Sequence, residues 1–193
     1  MRKELVIACS LFFIGLLLSS CISNENTIPK PVGYHRAYFP AKDTITIPFP
    51  NSPFSFTAPT YSKFAPAPGN KPGTWLWVFP DFKAEVFLSY HPVANNFAGL
   101  VEDAFTLVNR HQVKASNIES KRFSFAENKT AGLTFNIEGP VASQFQFFIS
   151  DSTQHFLRGE LYFFCEPNPD SLQPSIDFIE EDIELMLASL KWK

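Results

Sequence analysis

SLQPSIDFIEEDIELMLASL, residues 171–190, has the clearest helical pattern in the chain. Its apolar residues recur at every third or fourth position, which places them on one face of a helix. Ser171 is suited to cap this helix, and Pro174 is expected in its first turn, where a proline is tolerated. The apolar stripe consists of Ile176, Ile179, Ile183, Met186, Leu187 and Leu190. The segment therefore predicts a long amphipathic helix that must pack against another layer.

Four strand patterns precede this helix. They are rich in aromatic and β-branched side chains and cover residues 119–125, 133–138, 143–149 and 155–165. The segments between them contain turn-forming residues: Asn128-Lys129, Gly139-Pro140 and Asp151-Ser152. Such short turns favour antiparallel pairing of neighbouring strands.

Two further strands and a helix lie upstream. Residues 75–79 and 84–91 are strand-like, and Asn95 or Asn96 is suited to cap a helix that follows. The helical stripe is Phe97, Leu100, Val101, Ala104, Leu107, Val108 and His111. The order β-β-α-β-β-β-β-α over residues 75–193 predicts an α+β fold, a mostly antiparallel sheet with two helices packed on it.

A proline-rich segment, residues 29–74, precedes this domain. Ten of the chain's 16 prolines fall between residues 22 and 72, a density that excludes helix. Interleaved tyrosines and phenylalanines argue against disorder. We expect extended chain laid over the domain, with short edge strands near Thr44–Ile47 and Phe54–Thr57 and a loop at 65–73.

The last predicted strand carries large apolar groups on both faces. If both helices cover the face of Leu157 and Leu161, the aromatic residues of the other face need a different cover. Those residues are Phe156, Tyr162 and Phe164. Residues 29–64 are the expected lid, and the alternative is an exposed aromatic patch for docking. Cys165 is expected to be a small buried hydrophobe.

The N-terminus has the pattern of a secretory signal, predicted to cover residues 1–20. Arg2 and Lys3 precede an apolar run that ends in Leu18-Ser-Ser-Cys21. This ending looks like a bacterial lipobox, in which Cys21 is acylated and becomes the first mature residue. The alternative is an ordinary signal peptide with an incidental cysteine. Residues 21–28 are then expected to form a tether.

The charge and cysteine content of the chain limit the partners and cross-links that it can have. Its formal net charge is −3, which provides no electrostatic footprint for nucleic acid or anionic lipid. Membrane contact is therefore expected to come from the lipid on Cys21. Because Cys9 would leave with the signal, Cys165 would be the single free thiol of the mature chain, and no intramolecular disulfide could form.

Motifs for catalysis or metal binding are absent from the sequence. The four histidines, His35, His91, His111 and His155, lack the spacing of metal ligands, and no glycine-rich phosphate loop occurs. We predict no cofactor, no metal and no enzymatic activity.

The segment DSTQHFLR, residues 151–158, is the densest polar cluster. A serine–histidine–aspartate triad is rejected there because the sequence lacks the sharp elbow that a nucleophilic serine needs. Asp151, His155 and Arg158 are instead candidate partner-contact residues, and Arg158 is expected to pair with Glu160. The acidic helix face at residues 177–184 is the next candidate surface.

Several of these segments together resemble a known family. They are Cys21, Pro31-Val-Gly-Tyr-His-Arg36, Pro53-Phe-Ser-Phe56, Leu88-Ser-Tyr90, residues 151–162 and the terminal Leu190-Lys-Trp-Lys193. The chain is thereby similar to the gliding-motility lipoprotein GldD family. The resemblance implies lipidation of Cys21 and no catalytic residues. It also implies that Ser52 and Thr74 stand where other members have cysteines, so that a disulfide is missing here. The closing Leu-Ala-Ser-Leu-Lys-Trp resembles the Mog1/PsbP-like sandwich at the level of fold alone.

These observations lead to one main functional hypothesis. The chain is expected to be a non-enzymatic lipoprotein that carries palmitate and is held on the periplasmic face of the outer membrane. It is expected to act as a structural or assembly factor for gliding motility and type IX secretion. Its expected partners are other lipoproteins of that machinery. One alternative is a periplasmic binding module that uses an aromatic sheet face for a small ligand or glycan. Another is an enzyme whose site is assembled in space.

Overall fold

A seven-stranded antiparallel sheet forms the centre of the computed structural model, which describes residues 38–48, 52–165 and 169–193. Its strand order is β3-β4-β5-β9-β8-β7-β6. The strands are β3 (Lys63–Pro66), β4 (Thr74–Phe79), β5 (Ala84–Pro92), β6 (Asn117–Phe125), β7 (Thr130–Glu138), β8 (Phe145–Ser150) and β9 (His155–Phe163). All neighbouring strands in this sheet run antiparallel. The short turns that join β6 to β7, β7 to β8 and β8 to β9 predict this for those three pairs.

A second, three-stranded antiparallel sheet has the order β1-β2-β10, with β1 at Thr44–Pro48, β2 at Phe54–Pro59 and β10 at Lys191–Trp192. The expected strands at 44–47 and 54–57 are confirmed, but β2 is central rather than an edge strand. It pairs with β1 on one side and with the last residues of the described chain on the other. The proline-rich segment and the C-terminus are therefore joined by backbone hydrogen bonds.

The two α-helices of the described residues lie on opposite faces of the seven-stranded sheet. Helix α2 (Pro169–Ser189) and the second sheet cover the face that contains Leu157 and Leu161. Helix α1 (Phe97–Asn109) covers the other face, where Ala104 and Val108 pack with Phe148 and Phe156. The α+β class is confirmed, and the sandwich has three layers.

This arrangement corrects the predicted lid. Phe156 is 1% exposed, and helix α1 covers it rather than residues 29–64. The described part of that segment packs on the opposite face, where Phe54 and Phe56 join the cluster of Leu157 and Leu161. Of the three aromatic residues expected to need cover, Tyr162 is half-buried and only Phe164 is exposed, at 62%. The sheet therefore does not present the broad aromatic face that the binding-module alternative requires.

Three local predictions are also wrong. Helix α2 begins at Pro169, so Pro174 lies inside it rather than in the first turn. Part of the expected loop at 65–73 is taken up by strand β3. Cys165 is exposed, because β9 ends at Phe163 and the chain bends away from the sheet there.

A close contact in the central strands fixes the packing of the largest core cluster. Gly159 of β9 pairs with Phe147 of β8. A Cβ atom added at Gly159 would lie 2.1 Å from the Phe147 ring. The ring therefore occupies the space that any other residue at position 159 would need. Phe147 is itself 1% exposed and has little freedom to move.

Gly159→Ala is expected to destabilise the protein by about 1–3 kcal/mol, because the added methyl group overpacks this contact. The matched control is Gly99→Ala in helix α1, where an added Cβ meets nothing within 4 Å. That substitution is expected to stabilise the protein by up to about 1 kcal/mol through helix propensity. Urea denaturation measures the free energy of unfolding of both variants. The packing argument would be contradicted if both substitutions changed this free energy in the same direction, or if Gly159→Ala stabilised the protein and Gly99→Ala destabilised it.

Candidate functional site

The turn between β8 and β9 is held by the Asp151 carboxylate. Its Oδ1 accepts hydrogen bonds from the backbone N–H groups of Thr153, Gln154 and His155, at 2.9, 2.8 and 2.9 Å. The next residue, Ser152, has a left-handed φ of 64°. Burial alone would raise the pKa of Asp151, but the three backbone N–H donors outweigh it and lower that pKa. Asp151 therefore has a structural role in shaping the turn.

The His155 ring lies against residues from two distant elements. Its Nδ1 is 2.9 Å from the Tyr90 hydroxyl on β5, and its ring stacks on Trp192 of β10 with centroids 4.8 Å apart. Trp192 reaches this position because β10 pairs with β2, where Trp192 lies opposite Phe54. The predicted contact residue His155 is thus fixed between two aromatic side chains.

A shallow cleft of about 750 Å³ lies beside this turn. Its lining combines the 151–155 turn with residues 127–129 and 191–193. Three lysines line it, Lys129, Lys191 and Lys193, against the carboxylates of Glu127 and Asp151. The Trp192 Nε1 atom is buried and has no hydrogen-bond partner among the described residues. We call this feature the basic cleft.

Arg158 does not belong to the basic cleft. Its guanidinium lies on the face covered by α1, where it pairs with Glu160 at 2.5 Å and donates to Gln146 Oε1 at 3.0 Å. The predicted pairing with Glu160 is confirmed. Gln146 in turn contacts His111 Nε2 at 2.9 Å. Burial lowers the pKa of Arg158 and of His111 in this network. Of the three predicted contact residues, the structure therefore brings together only Asp151 and His155.

These contacts also bear on catalysis. Asp151 accepts a hydrogen bond from the backbone N–H of His155, whereas the imidazole Nδ1 of His155 contacts Tyr90. Ser150 Oγ donates to the His155 carbonyl. The Asp151 carboxylate and the His155 imidazole therefore do not make the hydrogen bond by which a carboxylate orients the base beside a nucleophile. Within residues 38–48, 52–165 and 169–193, no cluster of three or more histidine, cysteine or acidic side chains is arranged to hold a metal ion.

The sequence reasoning missed the lysines and the tryptophan of the cleft. Lys129 is in a turn, and Lys191 and Trp192 follow the last helix about 60 residues later. Periodicity does not relate segments so far apart. The available signal was the short Leu190-Lys-Trp-Lys193 ending, whose apolar and basic residues continue beyond the helix.

Comparison with known proteins identifies a family. A family model described as "Gliding motility lipoprotein GldD" matches residues 24–192. No curated protein matches the chain. Among solved structures, the chain is similar to cyanobacterial PsbP (CyanoP) from Synechocystis sp. PCC 6803, with a TM-score of 0.49 and 7% identity over 80% of this chain and 95% of that one.

Asp151→Ala is expected to destabilise the protein by about 1–2 kcal/mol, because three backbone donors lose their acceptor. Because the pKa of Asp151 is lower in the folded protein than in the unfolded chain, the ionised carboxylate stabilises the folded state. This contribution is fully present above the ordinary aspartate pKa of about 3.9, and it is lost as the pH falls through the lowered pKa. Asp151→Asn keeps one acceptor oxygen and should remove this pH dependence. Thermal melts of the three proteins between pH 7 and pH 3 test this, and parallel pH profiles would refute it.

Proposed function

Since the chain belongs to the gliding-motility lipoprotein GldD family, we propose that it is a non-enzymatic structural or assembly factor of the gliding machinery and the associated type IX secretion machinery. Its partners would be other envelope proteins of those machines. Lipidation at Cys21 would hold it on the periplasmic face of the outer membrane. Ile22, rather than an aspartate, follows that cysteine and supports delivery to the outer membrane.

The basic cleft is the observation that carries this proposal. Several polar groups around the cleft already make contacts that stabilise the fold. The Asp151 carboxylate accepts hydrogen bonds from the backbone of its turn, and the Tyr90 hydroxyl contacts the His155 ring. What lies open to a partner is the pair of exposed lysines Lys129 and Lys191 beside the half-buried ring of Trp192. Aromatic residues and cations at the edge of a concave surface suit protein contacts. We propose that this cleft receives an acidic segment of a partner protein.

The anchoring part of the proposal relies on the N-terminal sequence. The helices within the described residues are too short or too polar to cross a bilayer. A lipobox cysteine provides attachment of a different kind, through acyl chains that insert into one leaflet. Several chains are needed for stable attachment, which the lipobox pathway supplies.

Cys21→Ser is expected to block processing, so that the variant keeps its signal and loses incorporated palmitate. The matched controls are Cys9→Ser, within the signal, and Cys165→Ser, at the exposed free thiol. Both controls should be processed and labelled like the parent. Metabolic labelling with palmitate and the mass of the mature protein measure this. A Cys21→Ser protein that is cleaved and labelled normally would refute anchoring at Cys21.

The double substitution Lys129→Glu and Lys191→Glu is expected to abolish or strongly reduce gliding while shifting stability by no more than about 0.5 kcal/mol, because both side chains are exposed. The control is Lys63→Glu with Lys114→Glu, two exposed lysines outside the cleft. Colony spreading measures gliding, and thermal melts measure the stability of each variant. Normal gliding of the cleft variant would show that the partner binds elsewhere.

A further inference from the structure

The end of the sandwich opposite the basic cleft carries a group of packed aromatic rings. Phe39, Phe82 and Phe178 come from three separate segments of the chain. Their centroids lie 4.9 to 6.0 Å apart: Phe39 to Phe178 at 4.9 Å, Phe82 to Phe178 at 5.2 Å and Phe39 to Phe82 at 6.0 Å. Contacts at these distances form a rigid aromatic platform.

Exposed residues extend this platform towards solvent. Tyr38 is 82% exposed, Phe39 is 38% exposed and Phe164 is 62% exposed. Phe164 is held next to Lys83, because its backbone N–H donates to the carbonyl of Lys83 at 2.8 Å. The Lys83 side chain is also exposed. We call the exposed residues Tyr38, Phe39, Lys83 and Phe164 the aromatic end.

The path of the chain relates this end to the acylated cysteine. The aromatic end begins at Tyr38, and residues 22–37 are all that separate it from Cys21. Sixteen residues reach at most about 53–58 Å even in a fully extended chain. Along the chain, the aromatic end is therefore the part of the described domain that comes first after the cysteine that would hold the lipid.

We propose that the aromatic end rests in the headgroup region of the bilayer and orients the domain on the membrane. Tyrosine and phenylalanine rings bind at the level of the headgroups, and a lysine beside them contacts anionic lipid. A weak contact is sufficient, because the tether supplies a high effective concentration of bilayer surface. The membrane contact is thus aromatic as well as lipid-mediated, and it rests on the proposed lipidation of Cys21.

This orientation directs the basic cleft away from the bilayer. Strand β9 runs from His155, beside the cleft, to Phe163, beside the aromatic end. Its nine residues span about 30 Å at the usual rise per residue. The cleft would therefore face partners in the periplasm while the other end of the same strand lies at the lipid surface.

The exposed thiol of Cys165 provides a probe at this end. Full-length lipidated protein would be labelled there with a thiol-reactive NBD dye and reconstituted into phosphatidylethanolamine–phosphatidylglycerol vesicles. Lipids that carry a spin label near the headgroup should quench the dye. The matched control is Cys165→Ser with Thr153→Cys, which places the dye in the exposed turn at the cleft end. Severalfold stronger quenching at position 165 than at 153 is expected.

Tyr38→Ser with Phe164→Ser should reduce this quenching severalfold while leaving vesicle flotation and the melting temperature unchanged. Loss of flotation of the parent protein would instead overturn the lipid anchor and the contact that depends on it. Flotation with equal quenching at 165 and 153, or with none at 165, would overturn the aromatic contact alone. A Cys165-linked dimer on vesicles without lipid quenching would assign this end to a second copy and also overturn the proposal.

Discussion

The burial of strands β8 and β9 on both faces is the constraint on which the rest of the structure depends. Every residue of β8 is buried, and Leu157 and Phe156 are buried on opposite faces of β9. A sheet that is apolar on both sides must be covered on both sides. Helix α1 covers one face, and helix α2 together with the second sheet covers the other. The abundance of phenylalanine follows from this, because two separate interfaces have to be filled.

The sequence predicted the elements of the fold better than their arrangement. Alternation and helical spacing located six strands of the main sheet and both helices, because these are local periodic signals. They did not say which helix covers which face, and the expected lid depended on the condition that both helices cover the side of Leu157. Strand β10 was missed because its two residues are defined only by pairing with β2, from more than 130 residues earlier. Cys165 was misplaced because the end of β9 depends on where β5 stops pairing with it.

The candidate site was predictable in part for a similar reason. Asp151 and His155 belong to one turn, so the sequence placed them together. Arg158 is three residues beyond His155 on the same strand, and an odd spacing puts the two side chains on opposite faces. That separation could have been read from the sequence. The contribution of Trp192 and the lysines could not, since it depends on β10 joining the second sheet beside the turn.

A buried charge connects the start of the described chain to helix α2. Asp182 is 1% exposed, and its carboxylate accepts hydrogen bonds from Lys42 Nζ at 3.1 Å and the Tyr61 hydroxyl at 2.6 Å. Burial raises the pKa of both Asp182 and Tyr61, the latter also through its bond to Asp182. Lys42 Nζ also lies 4.1 Å from the centre of the Phe178 ring. A buried ion pair adds little net stability compared with apolar packing. The Lys42–Asp182 pair is therefore more important for positioning the chain than for stabilising it. It fixes the segment of Tyr38 and Phe39 against Phe82 and Phe178, the other two rings of the aromatic platform.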